Sequence, residues 1–321
     1  MMLSCLRLLF ALLLLTTTFV GPASSATDYP NRAVRIVVGF APGGTTDLLA
    51  RIVADQLRVM WNTSVVVENR PGADGIIATT AVHQAPADGY MLLMSTNAIV
   101  ITPHMKTLPY DPINDFEPIT IVGREYHHMM VTPKLPVNSV KEFIDLAKST
   151  PGGLTFSSAG PGSAPFLGMQ RFMQAAGIPT MVHVPYPGSN PAVLALITGD
   201  VQSMFSSPST TLQIVRDGKV RLLAVSSPTR DPNAPEAPTL VESGLPGFES
   251  NTWFGLMASS KTPADVLEKI RTDVGRAMRD PVVIKRIKDL NSTPVGNTAE
   301  EFRKIVKDDL EIFRRVIADA K

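Results

Sequence analysis

The chain has 321 residues, 44% of them apolar, with 30 Lys and Arg against 29 Asp and Glu for a formal charge of +1. That length buries ample core for one large or two medium domains without metal or disulfide support, and a charge so near zero excludes a nucleic-acid binder built on a basic field. The lone cysteine, Cys5, excludes a disulfide framework or a cysteine-rich metal site, and 27 prolines announce many enforced turns and element starts.

Residues 1–7 carry one positive charge, 8–20 are apolar apart from three threonines, and 21–26 end in small residues. This order reads as a secretory signal peptide cleaved after Ala26. Its apolar run is shorter than the ~20 residues that span a bilayer, and no other stretch comes close. Cys5 precedes that run, so it is not the acylated cysteine of a lipoprotein. Cleavage removes Cys5 and Arg7 and leaves a neutral, cysteine-free chain, expected to be exported without membrane insertion into a bacterial periplasm.

Residues 34–38 are a β-rich run, and 46–58 carry Leu48, Leu49, Ile52, Val53 and Leu57 at helical spacing. The unit recurs as a strand at 64–67, a helix at 73–84 and a strand at 90–94 after the turn Ala87-Asp88-Gly89. Strands follow at 119–122 and 129–132, then a helix at 140–149 and a short strand at 155–157. The alternation continues with a helix at 166–176, a strand at 181–184, a helix at 190–198, a strand at 201–205, a helix at 210–217 and a strand at 220–225. Repeated β-α-β order predicts an α/β class with parallel strands covered by helices. Residues 231–246, with four prolines, predict a long ordered loop; 251–258 read as a strand and 263–321 as helical. Pro263 and Pro281 fit helix starts, and Thr298 with Glu301 resembles a capping box opening the last helix. Two α/β units followed by a helical tail suggest two lobes around a cleft, where small ligands bind.

The strongest local feature is Gly39-Phe40-Ala41-Pro42-Gly43-Gly44-Thr45-Thr46-Asp47, between a strand and a helix. Free amides at a helix start, with glycines that admit a ligand to the backbone, suit a carboxylate or phosphate. No Lys follows as in a P-loop, and dinucleotide-binder spacing is missing; on the residues alone, a tight turn capped by Thr45 or Thr46 is an equal reading. Ser157-Ser158-Ala159-Gly160-Pro161-Gly162-Ser163 repeats the theme before the helix at 166. One such loop per lobe would grip both ends of an anionic solute.

Other candidates point elsewhere. His127 and His128 are strand neighbours facing opposite ways, so they read as satisfied or ligand-lining rather than metal-binding, and no metal or cofactor motif is present. Glu68 and Arg70 read as a structural ion pair, and Trp253 and Phe254 as core. Without a Gly-x-Ser-x-Gly elbow or a mature thiol there is no catalytic constellation, and the protein is not expected to be an enzyme.

Several stretches together resemble one family, the extracytoplasmic solute receptors of tripartite tricarboxylate transporters, or Bug proteins. They are Tyr29-Pro30, the Gly39–Asp47 loop, Val65 to Ala73, Ala87-Asp88-Gly89-Tyr90, Pro109-Tyr110-Asp111-Pro112, His183-Val184-Pro185-Tyr186, Pro238 to Glu242 and Gly244 to Glu249. The resemblance implies a type II periplasmic-binding-protein fold, two α/β lobes with a ligand cleft between them. It implies a discontinuous first lobe, 27–124 plus 253–321, and a second at 125–252. It implies a small carboxylate held by backbone groups of Phe40, Pro42, Gly43, Gly44, Thr45, Thr46 and Asp47. Thr96, Asn97 and Ala98 complete the first wall, and Ser158, Ala159, Gly162, Ser163, Phe205 and Ser206 form the second. The partner it implies is a membrane permease or, in the alternative, a sensor kinase; the chain is expected to be a monomer. An exported α/β hydrolase is the competing class. Departures from the family pattern are Pro187 in place of a basic residue, Phe166 in place of His and Ser206 in place of Asp. They favour a mono- or dicarboxylate, aliphatic or aromatic, without an amine.

Overall fold

The computed structural model describes residues 29–319; the signal peptide expected at 1–26 lies outside the described residues. Strands β1 (Val34–Val38), β2 (Val65–Asn69), β3 (Met91–Thr96) and β4 (Phe116–Tyr126) come first. Then follow β5 (His128–Val131), β6 (Leu154–Ser158), β7 (Met181–Pro185), β8 (Ser203–Ser206) and β9 (Arg221–Val225), and finally β10 (Asn251–Ser259) and β11 (Thr293–Pro294). Helices α1 (Thr45–Trp61), α2 (Ile76–His83) and α3 (Ala98–Ile101) belong with the first strands. Helices α4 (Val140–Ser149), α5 (Ala164–Ala176), α6 (Ser189–Thr198) and α7 (Pro208–Arg216) accompany β5–β9, and α8 (Ala264–Met278), α9 (Pro281–Asp289) and α10 (Ala299–Asp319) end the chain.

The strands form two sheets, in the orders β11-β4-β10-β3-β1-β2 and β7-β6-β8-β5-β9. Both are mixed, where the sequence predicts parallel strands. β1 pairs in parallel with β2 and β3, and β6 with β7 and β8, but β10 lies antiparallel to β3 and β4, and β5 antiparallel to β8 and β9. The cause is connectivity: β4 carries the chain out to the second sheet and β10 brings it back, so the two run in opposite directions. Helices cover both faces of each sheet. On the first, Ile36 and Val38 pack with Leu49, Val53 and Leu57 of α1, while Val37 and Leu93 face Phe302 and Val306 of α10. On the second, Met129 and Phe205 meet Phe143 and Phe172, and Met130 and Met204 meet Leu196. Each buried side chain of this size contributes ~1.5–3 kcal/mol, which explains why the β-branched runs specify the strands so clearly.

Three local differences from the sequence have physical causes. The helix predicted from residue 73 begins only at Ile76, because Gly72, Ala73, Asp74 and Gly75 all have positive φ and form a tight turn first. α3 and β11, of four and two residues, are too short to show periodicity. Residues 231–246 form the expected loop, held among other contacts by an isolated bridge between Val225 and Thr239 and by an Arg230–Glu242 pair at 3.0 Å. The capping box is present: Glu301 N–H donates to Thr298 Oγ1 at 3.2 Å, and Thr298 N–H to Glu301 Oε2 at 2.8 Å. Glu68 and Arg70 pair at 2.7 Å.

The chain passes between the sheets at His127 and again at Ser250. His127 N–H donates to Ser250 O at 3.1 Å and to Ser226 Oγ at 2.8 Å, so the outgoing and returning strands are tied where they cross.

Candidate functional site

The loop after β1 is shaped by its glycines and by one buried carboxylate. A Cβ on Gly39 would lie 2.7 Å from the Gly75 Cα, so the two loops touch only because neither carries a side chain there, and Gly43 turns at φ +81°. Asp47 is 2% exposed. It accepts from Gly43 N–H at 2.9 Å, from Arg51 Nε at 3.0 Å and from Asn69 Nδ2 at 3.0 Å, and the same Asn69 amide reaches Phe40 O at 3.1 Å. Burial alone raises the Asp47 pKa, but the bonds from Arg51, Gly43 and Asn69 outweigh it and hold the carboxyl below the usual range. Its charge is therefore spent on holding the loop, and α1 starts at Gly44 with no side-chain cap on its first amides.

Three more helices start beside it. α5 opens after β6 with Ser163 accepting from Phe166 N–H at 3.4 Å. α6 and α7 open after β7 and β8, at Gly188 and Ser207, without a side-chain cap. All four starts sit at the carboxyl ends of parallel strands, the place where open α/β sheets bind ligands. Each brings unsatisfied N–H groups and about half a positive charge.

These starts surround a cavity of about 480 Å³ between the sheets. Of the residues expected from the sequence, Phe40, Gly44, Thr45, Thr46, Thr96 and Ala98 line its first wall, and Ala159, Gly162 and Ser163 its second. Thr45 Oγ1 donates across the gap to Ser209 Oγ at 3.1 Å, and a Cβ on Gly162 would lie 3.2 Å from an Asp74 oxygen, so the walls are close. Pro42 and Gly43 line a neighbouring cavity at the mouth, of about 750 Å³, together with Pro187 and Asp289.

Five of the expected residues stand behind the wall instead. Besides Asp47, Asn97 is buried and receives Trp253 N–H at 2.8 Å while its amide reaches Asp309 at 3.3 Å. Ser158 bonds His183 at 2.7 Å, Phe205 is core, and Ser206 is 1% exposed against Thr210 at 3.3 Å. Ser158, Phe205 and Ser206 sit at strand ends and Asn97 just beyond one, whereas Asp47 is in the first turn of α1. Phe166 is tilted against His183, with ring centroids 4.5 Å apart. His127 is held between Ser250 Oγ at 2.9 Å and Thr252 Oγ1 at 3.0 Å, and its complete burial pushes its pKa down to about 3, so it is neutral. His128 contacts Asp231 at 3.3 Å. Among the described residues no group of three or more His, Cys, Asp or Glu side chains could hold a metal. Trp253 is core, whereas Phe254 is core and also lines the cavity.

The sequence reading missed Glu125 and Asp74, both in the cavity wall. Glu125 lies beyond the strand predicted at 119–122, so no sequence pattern marked it; β4 runs on to Tyr126 and carries it into the wall. Burial raises its pKa, partly offset by hydroxyls of Ser207, Ser292, Ser209 and Thr45.

Two α/β sheets joined by crossing strands, with an anion-favouring cavity between them, define a protein of the periplasmic-binding-protein class. The chain belongs to the tripartite tricarboxylate transporter family receptors (TctC), whose sequence profile matches residues 49–321. It is 31% identical over 308 residues to protein BugT of Bordetella pertussis, covering 95% of this chain and 94% of that one. It superposes on R. palustris Rpa4515 with adipate at 32% identity and a TM-score of 0.80, covering 90% and 97% of the two chains. MatC of Rhodopseudomonas palustris with bound malate gives 28% identity and a TM-score of 0.76, covering 90% and 100%. No helix among the described residues is long and apolar enough to cross a membrane.

Proposed function

We propose that this chain is a periplasmic receptor, not an enzyme, that captures a small carboxylate between its lobes and presents it to the membrane permease of a tripartite tricarboxylate-type transporter. The moving bodies are residues 27–124 with 253–321 on one side and 125–252 on the other, and the chain works as a monomer. The observation that carries the reading is the convergence of four helix starts on one cavity, three of them without a side-chain cap. With no Lys, Arg or His in that wall, attraction for an anion comes from backbone amides, and the ligand's carboxylate is held by the loop of Phe40 to Thr46. The acids bound by the adipate and malate neighbours agree with this chemistry.

A micromolar receptor needs about 8 kcal/mol, and a few charge-assisted hydrogen bonds at ~1.5–3 kcal/mol each supply much of it. Ligand contacts made to both walls at once stabilise only the closed arrangement, which gives the permease a state to recognise. The test is a thermal-shift screen of the exported chain against aliphatic and aromatic mono- and dicarboxylates, adipate and malate among them. A bound acid at one hundred times its dissociation constant adds ~2.7 kcal/mol to stability. A panel in which no carboxylate raises the melting temperature would refute the reading.

A further inference from the structure

Glu125 lies on β4 opposite Thr252 of β10, where the chain is about to leave the first sheet, and it is 1% exposed. Hydroxyls surround its carboxyl. Ser292 Oγ donates to Oε1 at 2.9 Å and Ser209 Oγ to Oε2 at 3.0 Å, and the side chains of Ser207 and Thr45 bond to it as well. A carboxylate offers about four lone-pair sites, so this set fills it.

The hydroxyls come from both sides of the cavity. Thr45 opens α1 and Ser292 precedes β11, on the side of the first sheet, whereas Ser207 and Ser209 stand at the start of α7, which follows β8 of the second. Whichever moving body Glu125 travels with, two of its partners belong to the other, and parting the bodies strips them from a buried carboxyl. The two sides also meet directly, with Thr45 Oγ1 donating to Ser209 Oγ at 3.1 Å. Thr45 and Ser209 line both the inner cavity and the cavity at its mouth, so their contact stands on the threshold between the two. Ser209 is the link: its oxygen accepts from Thr45 while its proton goes to Glu125, which one hydroxyl can do at once. Its own side chain is exposed, so the hydrophobic core does not depend on it.

We propose that Ser209 is a latch between the two walls, which holds the cavity closed at its threshold through Thr45 and Glu125. The receptor then populates the closed arrangement before a solute arrives, and a solute enters only when the latch has parted. These contacts exist in the closed arrangement alone, so losing them moves the equilibrium toward the open one. The latch rests on the two-body motion described above and is independent of which acid is bound.

The experiment is pulsed dipolar electron paramagnetic resonance on the exported chain, unfolded in urea and refolded to remove any carried solute. Spin labels go on Ile77→Cys and Leu194→Cys, exposed positions on opposite bodies, and residues 27–321 contain no other cysteine. The wild type shows a short-distance population, and Ser209→Ala lowers its ratio to the long-distance population by about tenfold, the order expected for losing a hydrogen bond to a charged group. Ser209→Thr, which keeps the hydroxyl, retains the wild-type ratio. Ser207→Ala removes a different second-body partner of Glu125 and lowers the ratio by less; it decides the matter if Ser209→Ala does not refold. A wild type wholly in the long-distance form overturns the latch, and so does a ratio that the alanine variants leave unchanged or a Ser209→Thr chain that behaves as Ser209→Ala. Each of these leaves the carboxylate reading to its own thermal-shift test.

Discussion

Replacing Asp47 with alanine removes, in one step, the acceptor of the Gly43 N–H, the Asn69 amide and the Arg51 guanidinium. The first two are hydrogen bonds to a charged group, ~1.5–3 kcal/mol each. The Arg51 contact is discounted to about 0.5 kcal/mol, because that side chain is 47% exposed and its charge is screened by solvent. Relief of the carboxylate's burial gives some of this back, so the expected loss is about 3 kcal/mol, read as a lower urea midpoint at unchanged slope. Because the freed loop is also the proposed carboxylate cradle, the dissociation constant for whichever acid the wild type binds should rise more than tenfold in calorimetry. Asp47→Asn keeps one oxygen and should lose about half as much stability. The Asp47 pKa is depressed in the fold, so its contribution is present above the usual Asp value of ~3.9 and is lost as pH falls through the folded value. The gap between wild type and Asp47→Asn should therefore close on acidification. A loss under ~1 kcal/mol with affinity intact would show that the loop holds its shape without this carboxylate.

Glu311→Ala on α10 removes an exposed contact with Arg314, and calorimetry should find ligand affinity unchanged within twofold. Gly255→Ala places a methyl group into the Phe302 ring, at a buried contact between β10 and α10; overpacking of this kind should cost about 3 kcal/mol in denaturant unfolding, and a neutral result would mean that α10 can shift. Glu125→Gln in the empty receptor tests the raised pKa of Glu125: the wild type's contribution there is intact below the ordinary Glu value of ~4.3 and lost as pH rises through the folded value. The variant should accordingly match the wild type's melting temperature near pH 4 and exceed it near pH 8, and a wild-type advantage that grows with pH would reverse the assignment.

Pattern at two scales made most of this architecture readable. The runs at Val34–Val38 and Met181–Pro185, and the 3.6-residue spacing of Leu49, Ile52, Val53 and Leu57, identify strands and helices because one buried face imposes that periodicity. The glycine loop at 39–44 was conspicuous for a related reason, since close backbone approach leaves no room for a Cβ at Gly39 and Gly43 turns at positive φ. What periodicity cannot convey is direction. Nothing in Phe116–Tyr126 or Asn251–Ser259 says that these strands run against each other, and the mixed sheets follow from that. Nor does a strand end declare which alternate side chain faces a ligand. Asn97, Ser158 and Ser206 looked like wall and brace it instead, whereas Glu125, which falls between the strands predicted at 119–122 and 129–132, lines the cavity. Cavity-lining residues on loops were easier to anticipate, because glycines and helix starts mark exposed backbone whichever way the neighbouring side chains point.

The two crossings between the sheets meet at a single doorway, since His127 and Ser250 share a backbone hydrogen bond and Tyr126 pairs with Asn251 just inside it. Everything between them is a parenthesis in the chain, opened and closed at one point. A different insert of the same end-to-end span would leave β4 and β10 paired and the Gly39–Asp47 loop untouched. One wall of the cavity, the proposed carboxylate cradle, can then stay fixed while the other is exchanged as a block, so one wall can diverge without the other.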